Sequence, residues 1–577
     1  MATMTSKALL LTFLCFFTIS SAEFVKVSVK GVTTIAQTDD DFICATLDWW
    51  PPNKCDYGQC PWGLAGIPNL VSLSSSSSSS FSSSALSLNL LIMEALFLLC
   101  FFLTGSSKYY LGQSNQGSVL FLKMWNFGFL SSLNLTCFYD FLEFNPLRIR
   151  IGGSLQDQII YRVGNGYKKC PRMRKLSEGL FGFSKGCLTM QRWDELNDLF
   201  NKTSARITFG LNALKGKKPA NDGTINWVGD WDSQNARDLI RYTASKGYKI
   251  DSYELGNELS ATGVSARLEP DQYGKDLTVM GKIVEEVYPD PTNRPKILGP
   301  GGFFDKEWFR VFLQNTAPNV VYGVTHHIYN LGAGVDPTLI DKVQDPYYLD
   351  QIAQTFKEAK EVSERFGAWS KPWIGESGGA YNSGGKTVSH TFANGFWYLD
   401  NLGMTASFDH QVYCRQALIG GNYALLNTTT FIPNPDYYSA LLWHRLMGKK
   451  VLAASHDSSP YLRVYSHCTK NEEGVTVLLI NLSNSTTHDV KIVNDRNIYP
   501  NFVGSKLKAR EEYHLTPKDG DIQSDVMLLN GTPLQLTPTL DIPKMSPKLV
   551  DPTSVVTVAP SSYVFVSIKD FKASACA

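Results

Sequence analysis

Short apolar runs alternate with amphipathic segments from about residue 40 to residue 445. The runs have the length of buried strands, whereas the longer segments repeat their apolar residues at helical spacing. This β-then-α alternation predicts a (β/α)8 TIM barrel. The expected helices are 193–200, 235–246, 271–287 and 347–366. The expected strands are 43–47, 147–151, 207–211, 250–255, 297–299, 320–329, 372–375 and 403–409.

After about residue 450 the pattern becomes one of short strands separated by polar loops, with no long helical repeat. The expected strands are 462–465, 475–481, 490–493, 526–529 and 562–568. Together they predict a C-terminal β-sandwich over residues 449–577. An early strand pattern at 24–29 lies outside the barrel rhythm. We therefore expect residues 23–38 to join the sandwich and residues 39–448 to form the barrel.

The first 22 residues predict a signal peptide, because an apolar run at 8–19 follows Lys7 and small residues precede Glu23. We expect the protein in the secretory pathway. Its destination would be the extracellular cell wall, or a vacuole or lysosome with peripheral membrane association. Several N-glycosylation sequons fit that route. The candidate acceptors are Asn201, Asn427, Asn481, Asn484 and Asn530, with Asn134 in a doubtful segment.

A secreted chain can form disulfides, and this one has 11 cysteines. The pairs with suitable spacing or placement are Cys55 with Cys60, Cys170 with Cys187, and Cys468 with Cys576. The full connectivity does not follow from the sequence. No cysteine spacing resembles a zinc site, so we expect disulfides or free thiols rather than a metal centre.

The barrel pattern fails between about residues 61 and 143. This segment holds serine runs at 74–80 and 82–84, then an apolar stretch at 85–104 that contains Glu94. One interpretation is a transmembrane span, which Glu94 and the return of the chain to the same barrel oppose. A second is a disordered insertion. The third, which the serine runs favour, is non-coding sequence translated through an erroneous gene model.

The charge balance excludes some classes of partner. The net charge is +1, and the sequence shows no basic cluster. Nucleic acid is therefore not an expected partner, and a highly sulfated polysaccharide is disfavoured. Aromatic residues make up 12% of the chain, which supplies core material and also suits sugar-stacking clefts. We expect a monomer.

Two predicted strands end in a glutamate. Asn257 and Glu258 follow the fourth strand, and Glu376 follows the seventh. Because the carboxyl ends of parallel barrel strands converge on one face, these two carboxylates are expected to be neighbours. Two carboxylates in one pocket are what a retaining glycosidase needs, one as acid and then base and the other as nucleophile. The alternative is that both are ordinary surface or ion-paired carboxylates.

We assign Glu258 as the acid/base, because the amide of Asn257 beside it could hold a sugar 2-hydroxyl. We assign Glu376 as the nucleophile, because Gly375 leaves backbone room for a sugar ring. Glu254 is interpreted as structural. This chemistry requires no metal and no cofactor, and the expected partner is a carbohydrate substrate.

The most specific motifs of the chain lie at 147–153, 193–196, 253–258, 299–304, 373–377, 414–423 and 433–438. As a set they resemble the heparanase-like proteins of glycoside hydrolase family 79, with the plant branch as the nearest match. The resemblance implies a barrel-plus-β-sandwich fold and a retaining endo- or exo-β-glucuronidase activity. It covers nearly the whole chain except about 61–143, and residues 497–511 look short for the plant branch.

The resemblance also implies residue roles around the two glutamates. Asp48, at the end of the first strand, would contact the terminal sugar, and Ser154, after the second strand, would bind substrate. Tyr329 would orient the nucleophile. We interpret His326 and His327, just before it, as structural hydrogen-bonding residues.

Two further segments would complete the sugar site by the same resemblance. Tyr381, Asn382 and Ser383 follow the nucleophile in a loop that supplies backbone donors. Gly421 and Tyr423 would grip the uronate carboxylate through a backbone N–H and a phenol. Directional donors of this kind favour an anion without a strong positive field.

The implied substrates carry β-linked glucuronic acid in polysaccharides, proteoglycans or small-molecule glucuronides. The plant branch suggests arabinogalactan-protein side chains or flavonoid glucuronides, and exo and endo cleavage both stay open. Other hypotheses are a retaining glycosidase for neutral sugars and a catalytically dead cell-wall glycoprotein that binds carbohydrate. A form tethered to a membrane through residues 85–104 is a further alternative.

Overall fold

The computed structural model describes residues 22–63, 65–67, 143–164, 170–495 and 508–577. Residues 1–21 of the predicted signal peptide, the serine runs, the apolar stretch at 85–104 and Asn134 lie outside these ranges, as does most of 497–511. Within the described ranges, no helix combines the length and the apolar character needed to cross a membrane.

Eight parallel strands close into a barrel, which confirms the predicted fold class. Each strand pairs with the next one along the chain, and the last pairs with the first. Nearly all their residues are buried, as expected for strands covered by helices outside and filled by side chains inside. The barrel strands are Ile43–Asp48, Arg148–Gly152, Arg206–Leu211, Ser252–Leu255, Lys296–Phe303, Gly323–Ile328, Lys371–Ser377 and Tyr413–Arg415.

The predicted eighth strand at 403–409 is wrong. Those residues belong to helix Asn394–Ser407 and the turn after it, and the eighth strand is Tyr413–Arg415. The helix packs between the barrel and the C-terminal sheet and is buried over its whole length up to Ala406. Because a helix buried on all sides lacks a polar stripe, its apolar run resembles a buried strand.

Helix Pro435–Leu446 is likewise buried over most of its length, whereas the longer helices before Asn394 bury one face each. Met190–Thr203 buries Trp193 and Phe200, and the Thr189 hydroxyl caps it by accepting the backbone N–H of Arg192. The four predicted helices are confirmed, the last one interrupted by a 3-10 turn at Asp350–Ile352. The described helices are Met190–Thr203, Gln234–Ser245, Pro270–Val287, Lys306–Gln314, Leu339–Lys342, Pro346–Leu349, Ala353–Phe366, Asn394–Ser407 and Pro435–Leu446.

A second sheet of 11 strands follows the barrel. One of its faces buries a separate core of valines and leucines, and the other packs on the helices that end the barrel. Its strands are Glu23–Gln37, Met447–Ser455, Leu462–Thr469, Val475–Asn481, His488–Asn494, Arg510–Pro517, Met527–Leu529, Thr532–Pro533, Lys548–Val550, Val556–Val558 and Ser562–Ile568. Short two-stranded pairs outside both sheets are Ile159–Arg162 with Gly186–Thr189, Lys218–Pro219 with Trp227–Val228, and Gly332–Ala333 with Ala380–Tyr381.

The N-terminal strand ties the beginning of the chain to this second sheet. Glu23–Gln37 pairs antiparallel with Met447–Ser455 and parallel with His488–Asn494. At one end of the sheet, Val556–Val558 approaches Val475–Asn481 although the two strands are not bonded neighbours. The sheet therefore bends over its own core, in the manner of a sandwich.

Four disulfides are formed within the described residues. The Cys55–Cys60, Cys170–Cys187 and Cys468–Cys576 pairs match the spacing-based expectations. The fourth, Cys44–Cys414, joins the first and eighth barrel strands, with 370 residues between its cysteines along the chain. No sequence spacing indicates it, because the two cysteines become neighbours only when the barrel closes.

The start of the segment assigned to an insertion belongs to the packed fold. Trp62 is buried, and the backbone N–H of Ile67 donates to the carbonyl of Asp48. The Ile67 carbonyl in turn accepts from the guanidinium of Arg192, at 2.6 Å. The chain therefore follows the barrel as far as Ile67, rather than departing from it at about residue 61.

Candidate active site

A cavity of about 240 Å³ opens at the carboxyl ends of the barrel strands. All the predicted substrate and catalytic residues line it except Asn257 and Gly421. The lining is Asp48, Trp50, Lys54, Asp56, Trp62, Ser154, Phe181, Glu258, Val264, Phe303, Tyr329, Glu376, Tyr381, Asn382, Ser383, Gln416 and Tyr423. Residues that follow the first and the last barrel strands therefore meet at this face.

Glu258 and Glu376 are neighbours, as the strand-end argument expected. One carboxylate oxygen of each, together with a ring nitrogen of His327, lie within 4.8 Å of one another. Both side chains are almost fully buried. This separation is compatible with the distance of about 5 to 5.5 Å between the carboxyl groups of a retaining glycosidase.

Glu376 is held by two donors, one on each oxygen. Arg150 donates from Nη1 to one oxygen at 2.8 Å, and the Tyr329 hydroxyl donates to the other at 2.5 Å. Arg150 lies in the middle of the second barrel strand and is buried, so its charge acts at short range with little screening. The two donors thereby fix the Glu376 carboxyl group in one orientation.

The same guanidinium reaches two more acceptors. Arg150 donates from Nε to Glu254 at 2.7 Å and from Nη2 to the Asn257 side-chain oxygen at 2.8 Å. Burial lowers the pKa of Arg150 and the surrounding carboxylates raise it, with a net upward shift. Glu254 is fully buried and acts as a counter-charge beneath the site, which suits its predicted structural role.

Glu258 has surroundings of another kind. It sits at a left-handed backbone position, φ 55°, with its N–H donating to the carbonyl of Gly301 at 2.7 Å. Burial raises the pKa of Glu258 to about 7, and the nearby Arg150 opposes that rise. The carboxyl group therefore holds a proton at mildly acidic pH, as a general acid must.

His327 lies between the two glutamates, which the structural interpretation of this residue did not foresee. Its Nδ1 is 3.1 Å from Oε1 of Glu258 and 4.0 Å from Oε2 of Glu376. Burial lowers the pKa of His327 to about 4, so the ring is neutral. His326 points the other way and pairs with His410, Nε2 to Nε2, at 2.8 Å, in keeping with a structural role.

Asn257 is held by one hydrogen bond from its backbone and one to its side chain. Its N–H donates to the buried carboxylate of Asp157 at 2.8 Å, and its side-chain oxygen accepts from Arg150. The side-chain nitrogen has no hydrogen-bond partner in the described part of the chain. Asn257 does not line the cavity, so the contact with a sugar hydroxyl predicted for it stays a prediction.

The floor of the cavity is formed by Asp48, Gln416 and Tyr423. Gln416 donates from its side-chain nitrogen to Asp48 at 2.9 Å and to the Tyr423 hydroxyl at 3.3 Å. Burial and the charge of Glu376 raise the pKa of Asp48 to about 8. Gly153 allows the chain to pass here, because a Cβ on it would lie 2.6 Å from the Asp48 carboxyl carbon.

The loop after the nucleophile contains successive left-handed residues, Asn382 and Ser383. Tyr381 precedes them and is exposed at the mouth of the cavity, whereas Ser383 is buried. Within the described residues, the backbone N–H groups of Asn382 and Ser383 are not engaged by a backbone carbonyl. Consecutive N–H groups in such a turn form a concavity that suits an anion, consistent with their predicted role.

Gly421 does not offer the donor predicted for it. Its backbone N–H donates to the carbonyl of Pro61 at 3.0 Å. The prediction failed because residues 61–63 were assigned to an insertion, whereas they pack on this loop. Of the two groups expected to grip a carboxylate here, the Tyr423 phenol is the one that faces the cavity.

Glu258, His327 and Glu376 also form a donor set of the type that binds divalent cations. The chemistry around them does not fit that use. Arg150 donates directly to Glu376, and a guanidinium at 2.8 Å would repel a cation on the same carboxylate. The cluster is better suited to moving protons than to holding a metal ion.

The family model described as "Glycosyl hydrolase family 79, N-terminal domain" matches residues 24–89 and 117–403. The chain belongs to glycosyl hydrolase family 79. Heparanase-like protein 2 of Arabidopsis thaliana is 44% identical, over 96% of this chain and 96% of that protein. Baicalin-beta-D-glucuronidase of Scutellaria baicalensis is 37% identical, over 97% and 94%. The resemblance to heparanase-like proteins is thereby confirmed, and the protein is a glycoside hydrolase.

Solved structures of distant glycosidases share the architecture. A GH51 arabinofuranosidase from Xanthomonas axonopodis pv. citri superposes with a TM-score of 0.60 at 13% identity, over 94% of this chain and 99% of that one. A 4-O-alpha-L-rhamnosyl-beta-D-glucuronidase from Fusarium oxysporum gives 0.56 at 12% identity, over 94% and 100%. At these identities the likeness establishes the fold of the family 79 chain and nothing further.

Four site residues of this family 79 enzyme were missed by sequence reasoning: Arg150, Trp62, His327 and Gln416. A signal for Arg150 existed, because strand alternation places Arg148 and Arg150 on the face opposite Ile149 and Ile151, and a buried arginine requires carboxylate partners. Trp62 was missed because it lies in the segment that the sequence analysis assigned to an insertion. Gln416 lay inside a recognised motif without an assigned role.

The sequons divide by exposure. Asn201, Asn427 and Asn484 are exposed, and Asn530 is half-buried. Asn481 is fully buried, and its side-chain nitrogen donates to the carbonyls of Thr486 and Ala559, among others. A glycan on that nitrogen would have to break these bonds and open the sheet. The glycosylation expected at Asn481 is therefore incompatible with this fold.

Proposed function

We propose that this family 79 hydrolase is a retaining β-glucuronidase, with Glu376 as nucleophile and Glu258 as acid/base. The observation that carries the proposal is the asymmetry of two carboxyl groups within 4.8 Å of each other. One accepts hydrogen bonds from Arg150 and Tyr329. The other has its pKa raised to about 7 by burial. Such a pair divides the roles of acid and nucleophile.

In the first step Glu258 protonates the glycosidic oxygen while Glu376 attacks the anomeric carbon, which forms a covalent glycosyl-enzyme. Arg150 and Tyr329 aim the attacking carboxylate. In the second step Glu258, now ionised, takes a proton from a water molecule whose oxygen attacks the anomeric carbon. The bond from that carbon to the Glu376 oxygen breaks, which releases the sugar and restores both carboxyl groups. The neutral ring of His327 suits both steps, because Nδ1 accepts from a protonated Glu258 in one tautomer and donates to an ionised one in the other.

Three features support a uronate at the glycone position. The raised pKa of Asp48 keeps that side chain neutral at mildly acidic pH, which removes repulsion between it and a substrate carboxylate. The Tyr423 phenol and the N–H groups at 382–383 are directional donors around the same end of the cavity. A relative at 37% identity is named baicalin-beta-D-glucuronidase.

The test is release of 4-methylumbelliferone by the full chain at pH 5 to 6, from the β-D-glucuronide and from the β-D-glucoside in parallel. Glutamate-dependent turnover of the glucuronide, absent in Glu376→Gln, is the expected result. Preferential turnover of the glucoside would instead support the neutral-sugar hypothesis. Binding of glucuronic acid by a folded protein without turnover of either substrate would support the carbohydrate-binding one.

We also propose that the protein enters the secretory pathway. The four disulfides within the described residues support this, since structural disulfides persist in oxidising compartments. The measurement is a mobility shift on removal of N-glycans from protein recovered outside the cell. The shift should decrease in Asn484→Gln and stay unchanged in Asn481→Gln, because only the former side chain is exposed.

A further inference from the structure

A short loop closed by the Cys55–Cys60 disulfide lies across one end of the catalytic cavity, and we call residues 55–60 the rim loop. Its own backbone is tied by reciprocal hydrogen bonds between Asp56 and Gln59, both at 2.8 Å. Lys54, which precedes the rim loop, forms an ion pair with Asp56 at 2.8 Å, and its ammonium group lies over the Trp50 ring. The rim loop is therefore held in shape before any substrate arrives.

Side chains of the rim loop are bonded to the loops that follow the seventh and eighth barrel strands. Each of three rim-loop residues has a partner on the opposite side. The bonds are Asn382 Nδ2 to the Tyr57 hydroxyl at 2.9 Å, the Ser383 hydroxyl to Asp56 at 2.5 Å, and Asn422 Nδ2 to Gln59 Oε1 at 3.4 Å. The rim loop thus bridges to the far side of the barrel mouth.

Among the described residues, the space beneath this bridge is filled by side chains rather than open as a groove. Trp62 fills the space under it and is only 1% exposed, and its ring N–H donates to the Ser383 hydroxyl at 2.9 Å. The Trp62 ring also meets the Tyr423 ring edge to face. A Cβ on Gly420 would lie 2.4 Å from the same indole, so the packing leaves no gap for a sugar ring.

The opposite end of the cavity is open. Val264, in the loop after Glu258, is 46% exposed, and the Phe181 N–H donates to Ser265 in that loop. A leaving group departs past the acid that protonates it, so the acid side is the open one.

From this asymmetry we infer that the enzyme is exo-acting and removes a terminal glucuronyl unit whose 4-hydroxyl faces the rim loop. In a pyranose the 4-position lies across the ring from the anomeric carbon, so a ring with its anomeric carbon at the glutamates directs its 4-hydroxyl to the closed end. A further sugar on that oxygen would collide with Trp62 and the bridging side chains. This inference rests on the proposed β-glucuronidase function.

The test compares two aryl β-D-glucuronides, one with a free 4-hydroxyl and one carrying a sugar on that oxygen. We expect kcat/KM for the free substrate to exceed that for the extended one by about 100-fold or more, the scale of discrimination by a site with no room for the added group. Comparable turnover of both would overturn exo action and leave the β-glucuronidase proposal intact. If neither substrate is turned over, both exo action and the β-glucuronidase proposal are overturned.

A variant assigns the selectivity to the rim loop. Tyr57→Ala with Gln59→Ala removes two bridging bonds without touching a residue that lines the catalytic cavity, and Tyr347→Ala, at a 66% exposed tyrosine far from it, is the matched control. We expect the ratio of extended to free turnover to rise about tenfold in the double variant only. An unchanged ratio in a variant with native thermal unfolding would contradict that assignment.

Discussion

Glu258 and Glu376 end two strands of the same barrel, yet their surroundings differ in kind. Glu376 accepts hydrogen bonds from a buried guanidinium and a phenol, one on each carboxylate oxygen. Glu258 faces a neutral histidine and stays buried, and its pKa rises to about 7. This difference supports the proposed roles, nucleophile for Glu376 and acid for Glu258. The lesson is that the neighbours on other strands set the role, rather than the residue type.

The largest expected effect comes from removing the nucleophile. Glu376→Gln keeps the shape and the neighbours but cannot attack, so kcat for an aryl glucuronide should fall about 10⁴-fold or more. Glu285→Gln, at an exposed glutamate on the barrel surface, is the matched control and should behave as the native enzyme. Retention of activity within tenfold would place the nucleophile elsewhere.

Arg150→Lys tests whether the guanidinium creates the difference between the two glutamates. The lysine ammonium cannot reproduce the planar arrangement by which Arg150 donates to Glu254, Glu376 and Asn257 at once. Two of these buried acceptors would therefore lose their hydrogen bond. We expect kcat to fall about 100-fold and the free energy of unfolding to fall by about 3 kcal/mol. Kinetics and denaturant unfolding measure these, with Arg310→Lys on the surface as the control. A fully active Arg150→Lys enzyme would show that Glu376 does not need the guanidinium of Arg150 for its function.

Tyr329→Phe removes the hydroxyl that donates a hydrogen bond to one oxygen of Glu376, while the aromatic ring keeps its packing. A hydrogen bond to a charged acceptor contributes about 2 kcal/mol, which corresponds to about a 30-fold loss of kcat with KM nearly unchanged. Tyr348→Phe, whose hydroxyl donates to the carbonyl of Asn330, controls for losing a buried phenol. A rise in KM alone would mean that Tyr329 binds substrate rather than orienting the nucleophile.

The pH profile tests the other glutamate. Glu258 must be protonated in the first step, so kcat/KM should fall about tenfold per pH unit above its pKa of about 7. Glu258→Gln should abolish this alkaline limb for a substrate with a good leaving group, because no titrating acid remains. A limb that persists unchanged in that variant would assign it to another group, of which Asp48 is the first candidate.

The smallest expected effect is one of stability. The pKa of Glu258 rises from 4.5 to about 7 on folding, so the folded state binds its proton more tightly than the unfolded chain does. This contribution is fully present below pH 4.5 and is lost as the pH rises through 7. Relative to the native enzyme, Glu258→Gln should gain up to about 3 kcal/mol in free energy of unfolding between pH 4.5 and pH 8. Parallel unfolding curves at both pH values would contradict the raised pKa.

Sequence pattern alone located seven barrel strands and the two glutamates that meet in the cavity, because buried strands and their polar ends are local features. It failed at helix Asn394–Ser407, whose complete burial between two layers removes the helical period. It also missed Arg150 and Gln416 as site residues. Their importance depends on partners more than 100 residues away along the chain, such as Glu254 for Arg150 and Asp48 for Gln416, and no local pattern encodes those distances.

The Cys44–Cys414 bond links the first barrel strand to the last, so the barrel is a covalent ring as well as a hydrogen-bonded one. The disulfide and the peptide chain from Cys44 to Cys414 together form one closed covalent loop, and residues 68–142 belong to that loop by their place in the sequence. A peptide-bond break anywhere among them would not release the N-terminal piece. Strand Ile43–Asp48, with Asp48 at its end, would stay attached through Cys44, and the catalytic face would keep the residues that both ends of the chain contribute.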